Sequence, residues 1–251
     1  MMLVAGPAAS ALAVTKVRLI DARAGSPALK LVVKVGSASM SAGEASFGQV
    51  APYASAPAGS AQLEVTGPGV SAQATQQLAD GARYSAVVLA KGSRGYSLMV
   101  YKDGAAKAGS ARLRVLHAAP ELGAPDIKLG NRTIAEAVHF RSASPYLTVA
   151  PGSYTLSVTR PGGSQAIFSK SISLSAGVAT TAVLAGSGGA RERLIVATDD
   201  TKAPAGAPET GLGGLAGGNG PPWLLIGLAA LLAAMLGGAA QLSVARRSGR
   251  R

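Results

Sequence analysis

The chain contains one domain written twice. Val17-Arg18-Leu19-Ile20-Asp21-Ala22 is matched by Leu113-Arg114-Val115-Leu116-His117-Ala118, and Phe47-x4-Pro52-Tyr53 by Phe140-x4-Pro145-Tyr146. Further on, Gly59-Ser60-x2-Leu63-x-Val65 is matched by Gly152-Ser153-x2-Leu156-x-Val158. Leu78-x2-Gly81-x5-Val87 returns as Leu174-x2-Gly177-x5-Val183, and Met99-Val100 as Ile195-Val196. Matched positions this numerous, at nearly constant spacing, mark a duplication, so both segments must adopt the same fold.

Each copy reads as strands. Tyr154, Leu156 and Val158 alternate with Thr155, Ser157 and Thr159, the period of a strand with one buried face, and Ala61, Leu63 and Val65 do the same in the first copy. Gly152, Pro161-Gly162-Gly163 and Gly177 punctuate the runs as turns do. No stretch before Ala203 sustains a helical apolar stripe. The pattern predicts an all-β chain of two tandem antiparallel β-sandwiches, Ig-like, each built of about seven short strands. The copies are placed at 14–103 and 111–202, joined by a short linker at 104–110 and lying end to end with limited freedom. Tyr53 and Tyr146, each preceded by proline, are expected to pack in the core or at its corner.

Both ends predict export and display. Met1 to Ala13 is apolar and ends in Ala11-Leu12-Ala13, the A-x-A form of a signal-peptidase site, but lacks a basic leader, so a truncated signal peptide is expected at 1–13. A Gly/Pro-rich stretch at 203–221 is expected to be a disordered stalk. The uncharged apolar run that follows predicts a transmembrane helix at 222–245, since about 20 apolar residues cross a bilayer core. Arg246, Arg247, Arg250 and Arg251 form a basic tail at 246–251, which places the C-terminus in the cytoplasm and the duplicated part outside.

Chemistry is sparse. There is no cysteine, which excludes disulfides, thiolate metal sites and a cysteine nucleophile. The net charge of +12 includes the four tail arginines, and the remaining basic residues are scattered and not interleaved with aromatics, so no nucleic-acid partner is expected. His117 and His139 with Asp126 or Glu136 would be the components of a metal site, but the first copy has Asp21 and Ser46 at the matched places, and structural histidines are the expectation. No G-x-S-x-G occurs, and the glycine loops at Gly92 and Gly186 lack the Walker pattern and fit hairpin turns. No catalytic residue, metal or cofactor is expected. Asp103 and Asp199-Asp200 close the two copies and are expected to be solvated ends. For a sugar, the candidate binding surface is Tyr84, Tyr96 and Tyr101, although Tyr96 and Tyr101 fall on opposite faces of a regular strand.

Three resemblances follow from these residues. Arg114 to Ala118, Ala124-Pro125-Asp126, Phe140, Ser144 to Leu147, Ala150 to Tyr154 and Leu174-x2-Gly177 resemble the bacterial "domain of unknown function 4397", in two tandem copies, with the second copy closer. That resemblance implies an exported, β-rich, often surface-anchored protein and carries no established activity. A weaker likeness, of general pattern alone, is to periplasmic β-sandwich adaptors of exopolysaccharide acetylation. In the tail, Ala207-Pro208-Glu209-Thr210-Gly211 resembles a degenerate sortase sorting signal of the L-P-x-T-G kind, with Ala207 in place of leucine. By that likeness Pro208, Glu209, Thr210 and Gly211 form the motif, Thr210 would be joined to a peptidoglycan amine and Gly211 would leave.

The expected function is therefore a cell-surface, non-enzymatic binding or structural protein of the bacterial envelope, held by the bilayer or by the wall. The alternative is a polysaccharide-binding or exopolysaccharide-modification adaptor. Envelope polysaccharide, a surface protein, sortase and peptidoglycan are the candidate partners.

Overall fold

The computed structural model describes residues 14–92, 95–186 and 192–199. The leader at 1–13, the stalk, the apolar run, the basic tail and the Pro208 to Gly211 motif lie outside the described residues. Among the described residues no helix is long and apolar enough to cross a membrane.

The described chain is all-β apart from a short 3-10 turn at Pro120–Leu122. The first copy contributes β1 (Thr15–Asp21), β2 (Leu29–Val35), β3 (Ala38–Ala45), β4 (Ala54–Ala56), β5 (Gly59–Gly67), β6 (Val70–Leu78), β7 (Arg83–Lys91) and β8 (Gly95–Lys102). The second contributes β9 (Ala111–Ala118), β10 (Asp126–Leu129), β11 (Arg132–Ala135), β12 (Leu147–Val149), β13 (Gly152–Thr159), β14 (Ala166–Leu174), β15 (Ala179–Ala185) and β16 (Arg193–Thr198). Each copy forms two four-stranded sheets. Their orders are β4-β1-β7-β8 and β3-β2-β5-β6 in the first copy, and β12-β9-β15-β16 and β11-β10-β13-β14 in the second. The two orders are identical once the copies are aligned, as a duplication requires.

The sandwiches are not purely antiparallel. β1 runs parallel to β7, in register from Lys16 opposite Arg83 to Asp21 opposite Val88, and β9 runs parallel to β15. The strands of each parallel pair are far apart in the chain and joined through the opposite sheet, which satisfies the long crossover that parallel pairing needs. Parallel strands are typically covered on both faces. Accordingly β15 is buried at every position and β7 at all but its two ends. In the other sheet of each copy, β5 and β13 keep the dry and wet alternation read from the sequence, with Ala61, Leu63 and Val65 fully buried in the first copy and Leu156 and Val158 in the second.

Three apolar cores result among the described residues. One fills the first sandwich around Leu19, Leu31, Leu63 and Val88. Another fills the second around Leu113, Ile127, Leu156 and Leu184. The third is shared: Ile20, Val87 and Leu89 of the first copy pack with Leu116, Val183 and Ile195 of the second. Neighbouring residues of one strand thus serve different cores, Leu19 and Val88 inward, Ile20 and Val87 toward the other copy. The copies therefore meet across the broad faces of their β1/β7 and β9/β15 sheets, where the sequence suggested an end-to-end arrangement. Fully burying a side chain such as Ile20 or Leu116 is worth about 1.5–3 kcal/mol. A shared face of this kind stays together for the same reason that each sandwich does.

Candidate functional site

Two constellations of polar side chains stand out, and both lie where the copies meet. The first is buried in the shared face. Arg18 on β1 and Arg114 on β9 occupy the same repeat position and are almost wholly removed from solvent. Arg18 Nε donates to Ser85 Oγ at 2.8 Å within its own copy, while Nη1 donates to the Thr198 carbonyl at 2.6 Å and Nη2 pairs with the Asp199 carboxylate of the other copy. Arg114 repeats the pattern in reverse. Its Nε donates to Thr181 Oγ1 at 2.8 Å, Nη1 to the Lys102 carbonyl at 2.8 Å and Nη2 to Asp103 Oδ1 at 2.6 Å. Each arginine thus reaches across to the aspartate that closes the other copy.

The aspartates are saturated in turn. Asp103 accepts from Ser85 Oγ at 2.9 Å and from the Tyr53 hydroxyl at 2.7 Å. Asp199 accepts from Thr181 Oγ1 at 2.6 Å and from the Tyr146 hydroxyl at 2.7 Å. Arg18 lies 4.4 Å over the Tyr53 ring and Arg114 4.7 Å over the Tyr146 ring, so each tyrosine stacks on an arginine while its hydroxyl bonds an aspartate. Burial pushes both phenols above their ordinary range, which keeps them protonated and donating. Burial, and then the negative charge of Asp103, pushes the Asp199 carboxyl upward, against the pull of Arg18. Asp103 and Asp199 are not solvated ends, as the sequence suggested; they are buried counter-ions. The tyrosine expectation is refined: Tyr53 and Tyr146 are half-buried, and they act through their hydroxyls as much as their rings.

The recurrence of Arg18 as Arg114, Asp103 as Asp199 and Ser85 as Thr181 was visible in the alignment. What it did not indicate was that the partners are exchanged between copies. Every polar atom is consumed by another, and two arginines against two aspartates leave no net charge.

The histidines are separate. His117 is fully buried; Nε2 donates to the Gly123 carbonyl at 2.9 Å and Nδ1 accepts the Ala119 amide at 3.2 Å, a neutral ring with both nitrogens used. Burial lowers its pKa accordingly. His139 is exposed. Asp126 accepts the Ala137 and Gly162 amides at 2.8 and 2.7 Å, which hold its carboxyl below the usual range. At the position matching His117, Asp21 Oδ1 accepts from the Arg23 amide and from Ser26 Oγ, while Oδ2 has no partner among the described residues.

The tyrosines expected to form a sugar surface are dispersed. Tyr84 is 2% exposed in the first core, where its hydroxyl accepts the Ala79 amide, so it cannot contribute a face to a ligand. Tyr96 packs against the first core and Tyr101 against the shared one, on opposite faces of β8 as their spacing predicts. Tyr101 donates to the Arg141 carbonyl at 3.0 Å. Tyr96 lines a concavity, the second constellation. This is a groove of about 340 Å³ between the open edges of β6 and β8, lined by Ser71, Gln73, Lys91, Tyr96, Ser97 and Arg141. Its volume is at the lower end of the roughly 300–1,000 Å³ of small-ligand sites. A larger concavity, about 450 Å³, is lined by Arg160 and Gly163 to Gln165 of the β13–β14 connection and by Ala166 and Ile167 at the start of β14.

Comparison with known proteins adds a family and little else. No curated protein matches the chain. Among solved structures there is a likeness to the Bacillus anthracis TIE protein, at 9% identity and a TM-score of 0.25, covering 69% of this chain and 34% of that one. At that score it carries no argument about fold or function. The sequence profile of the family described as "Domain of unknown function (DUF4397)" matches residues 15–128 and again 111–209, spanning both copies and well over half of the 251 residues. The chain therefore belongs to the DUF4397 family.

Proposed function

We propose that this is a surface-displayed, non-enzymatic binding or structural protein of the bacterial envelope. The observation that carries the reading is the buried, exchanged Arg–Asp pairing, which ties the two copies into one body and spends their most reactive-looking groups on doing so. A module built in this way is suited to holding a surface at a fixed geometry. The leader at 1–13 and the apolar segment at 222–245 support export and a C-terminal transmembrane anchor, with the Ig-like copies outside and the basic tail in the cytoplasm. Pro208 to Gly211 supports a further step in which sortase passes the protein to peptidoglycan. The second reading, a polysaccharide-binding or exopolysaccharide-modification adaptor, is favoured by the polar groove at Tyr96.

Protease added to intact cells tests the display. Loss of the duplicated part with survival of a C-terminal tag supports it, and a protected duplicated part with an accessible tag overturns it. Anchoring is read from extraction. Release only after wall digestion, shifted to the membrane fraction by Thr210→Ala, supports sorting; full detergent extraction at intact mass supports a permanent helix.

A further inference from the structure

Arg141 occupies a backbone position that the matching copy gives to glycine. Phe140-Arg141 corresponds to Phe47-Gly48, and both second residues are left-handed, with φ of +68° at Arg141 and +85° at Gly48. A β-carbon is strained there, and a non-glycine residue kept in such a conformation calls for an explanation. The backbone would be served equally by glycine, because its bonds are main-chain ones: the amide donates to the His117 carbonyl at 2.8 Å and the carbonyl accepts from Tyr101. The explanation therefore lies in the side chain.

That side chain crosses to the first copy. Nη2 of Arg141 donates to Ser97 Oγ at 2.9 Å and lies 3.3 Å from Met99 Sδ, yet the residue remains exposed and walls the groove between β6 and β8. Lys91, at the exposed end of β7, lines the same groove. Arg23 lies 4.1 Å over the Tyr96 ring. Ser71, Tyr96 and Gln73 complete the lining; the Tyr96 hydroxyl accepts from Arg23 Nη1 at 3.3 Å, Gln73 Oε1 accepts from Gln62 Nε2 at 3.3 Å, and the Gln73 side chain also bonds Glu64. No such set exists in the matching copy, where Glu192 replaces Tyr96, Ile167 replaces Ser71 and Ser169 replaces Gln73.

We propose that the groove binds an anionic sugar unit of an envelope glycan. Arg141 and Lys91 hold its carboxylate or phosphate, while Ser71, Gln73 and Tyr96 engage its hydroxyls. An arginine offers a planar fork to either anion, and a lysine a mobile point charge, so the pair selects for charge and tolerates its carrier. The assignment rests on the binding reading proposed above and names its ligand class.

The test uses the full-length chain in polyoxyethylene detergent micelles, with trigalacturonate as the carboxylated probe, glucose 6-phosphate as the phosphorylated one and maltotriose as the neutral control. Calorimetry at low salt should show a Kd of about 1 mM or tighter for at least one acidic probe, and binding at least tenfold weaker for maltotriose. Whichever acidic probe binds more tightly identifies the anion. Arg141→Gly should weaken that binding at least tenfold while leaving the melting temperature within a few degrees of wild type, and the exposed-site variant Lys91→Gln should weaken it as well. Equal binding of maltotriose, no acidic binding, or unchanged affinity in both variants would overturn the proposal. A large melting loss in Arg141→Gly would also do so, since the arginine would then be structural. Labelled protein on isolated envelopes separates the two levels: retention that survives both substitutions sinks the groove alone, and no retention of wild type sinks the binding reading itself.

Discussion

The buried ion-pair network at the seam recurs in both copies; the residues that line the groove do not. Arg18 answers to Arg114, Asp103 to Asp199, Tyr53 to Tyr146 and Ser85 to Thr181, and each pair makes the same bonds about an internal two-fold relation. In the groove, Tyr96 faces no tyrosine in the other copy, and Arg141 stands where that copy has Gly48. The same two-fold relation shows how the break is accommodated. On one side of the seam Arg193 of β16 lies 4.3 Å over Phe47, and glycine at 48 leaves it room. On the other, β8 carries the small Ser97 at the matching position, and Arg141 fills the space from the loop. A duplicated interface tolerates such divergence where residues reach solvent, because one copy can drift while the other keeps the packing. It does not tolerate divergence among buried ion pairs. Removing one partner there leaves an uncompensated charge in a medium that cannot solvate it.

The largest effects are expected at the seam. Arg18→Ala, which strands Asp199, is expected to lower unfolding free energy by about 3–5 kcal/mol. Arg114→Ala should cost somewhat less, because Asp103 keeps Arg18 Nη2 at 4.0 Å. Because each partner belongs to the other copy, the loss should appear in one common denaturant transition. Two separate transitions in the wild type would show that the copies fold independently and that the seam is incidental. The double variant Arg18→Ala with Asp199→Ala should cost less than the sum of its parts, the signature of direct coupling.

A smaller effect is expected where the copies differ at a buried position. Asp21 replaces His117, and desolvation pushes its carboxyl up from 3.8 to about 6. Between these two values the folded protein holds a proton that the unfolded chain has released. Stability therefore falls as pH rises through the window, by up to about 2–3 kcal/mol. Urea midpoints measured across it should decline from this group, and Asp21→Asn should remove that part of the slope. An unchanged profile in the variant would place the titration elsewhere.

The last pair sharpens the contrast at the matched loop positions. Gly48→Ala should cost about 1–3 kcal/mol, because the backbone is left-handed and the new carbon would lie 2.5 Å from Arg193 Nη1. Arg141→Gly should move stability by no more than about 0.5 kcal/mol, since relief of the same strain offsets the added freedom of the unfolded chain. Comparable losses in both would make Arg141 a packing residue and return the groove to the structural side.

The strands of the outer sheets were legible from their alternation, as at Leu156 and Val158, and the duplication was legible from matched residues alone. The two-sided strands were less so. The run Ala86 to Ala90 has no period, because both of its faces are dry, and a continuous apolar stretch does not say which neighbour covers it. Among candidate site residues the alternation did separate Tyr96 from Tyr101, but it could not show that Tyr84 is sealed in the core.

What this sequence determines by itself is therefore local and repetitive: β-structure, two equivalent units, the strand periods and the family. These depend on backbone preference and on neighbours a few residues away. Which partner each charge meets emerges only when the sheets pack. Asp103 and Asp199 look like chain ends in the sequence and become buried counter-ions, because the arginines that pair with them come from the opposite copy, 181 positions away in the case of Arg18 and Asp199. Pairing across such a separation leaves no period and no motif; it exists only once two sheets have been laid face to face and their shared surface emptied of water.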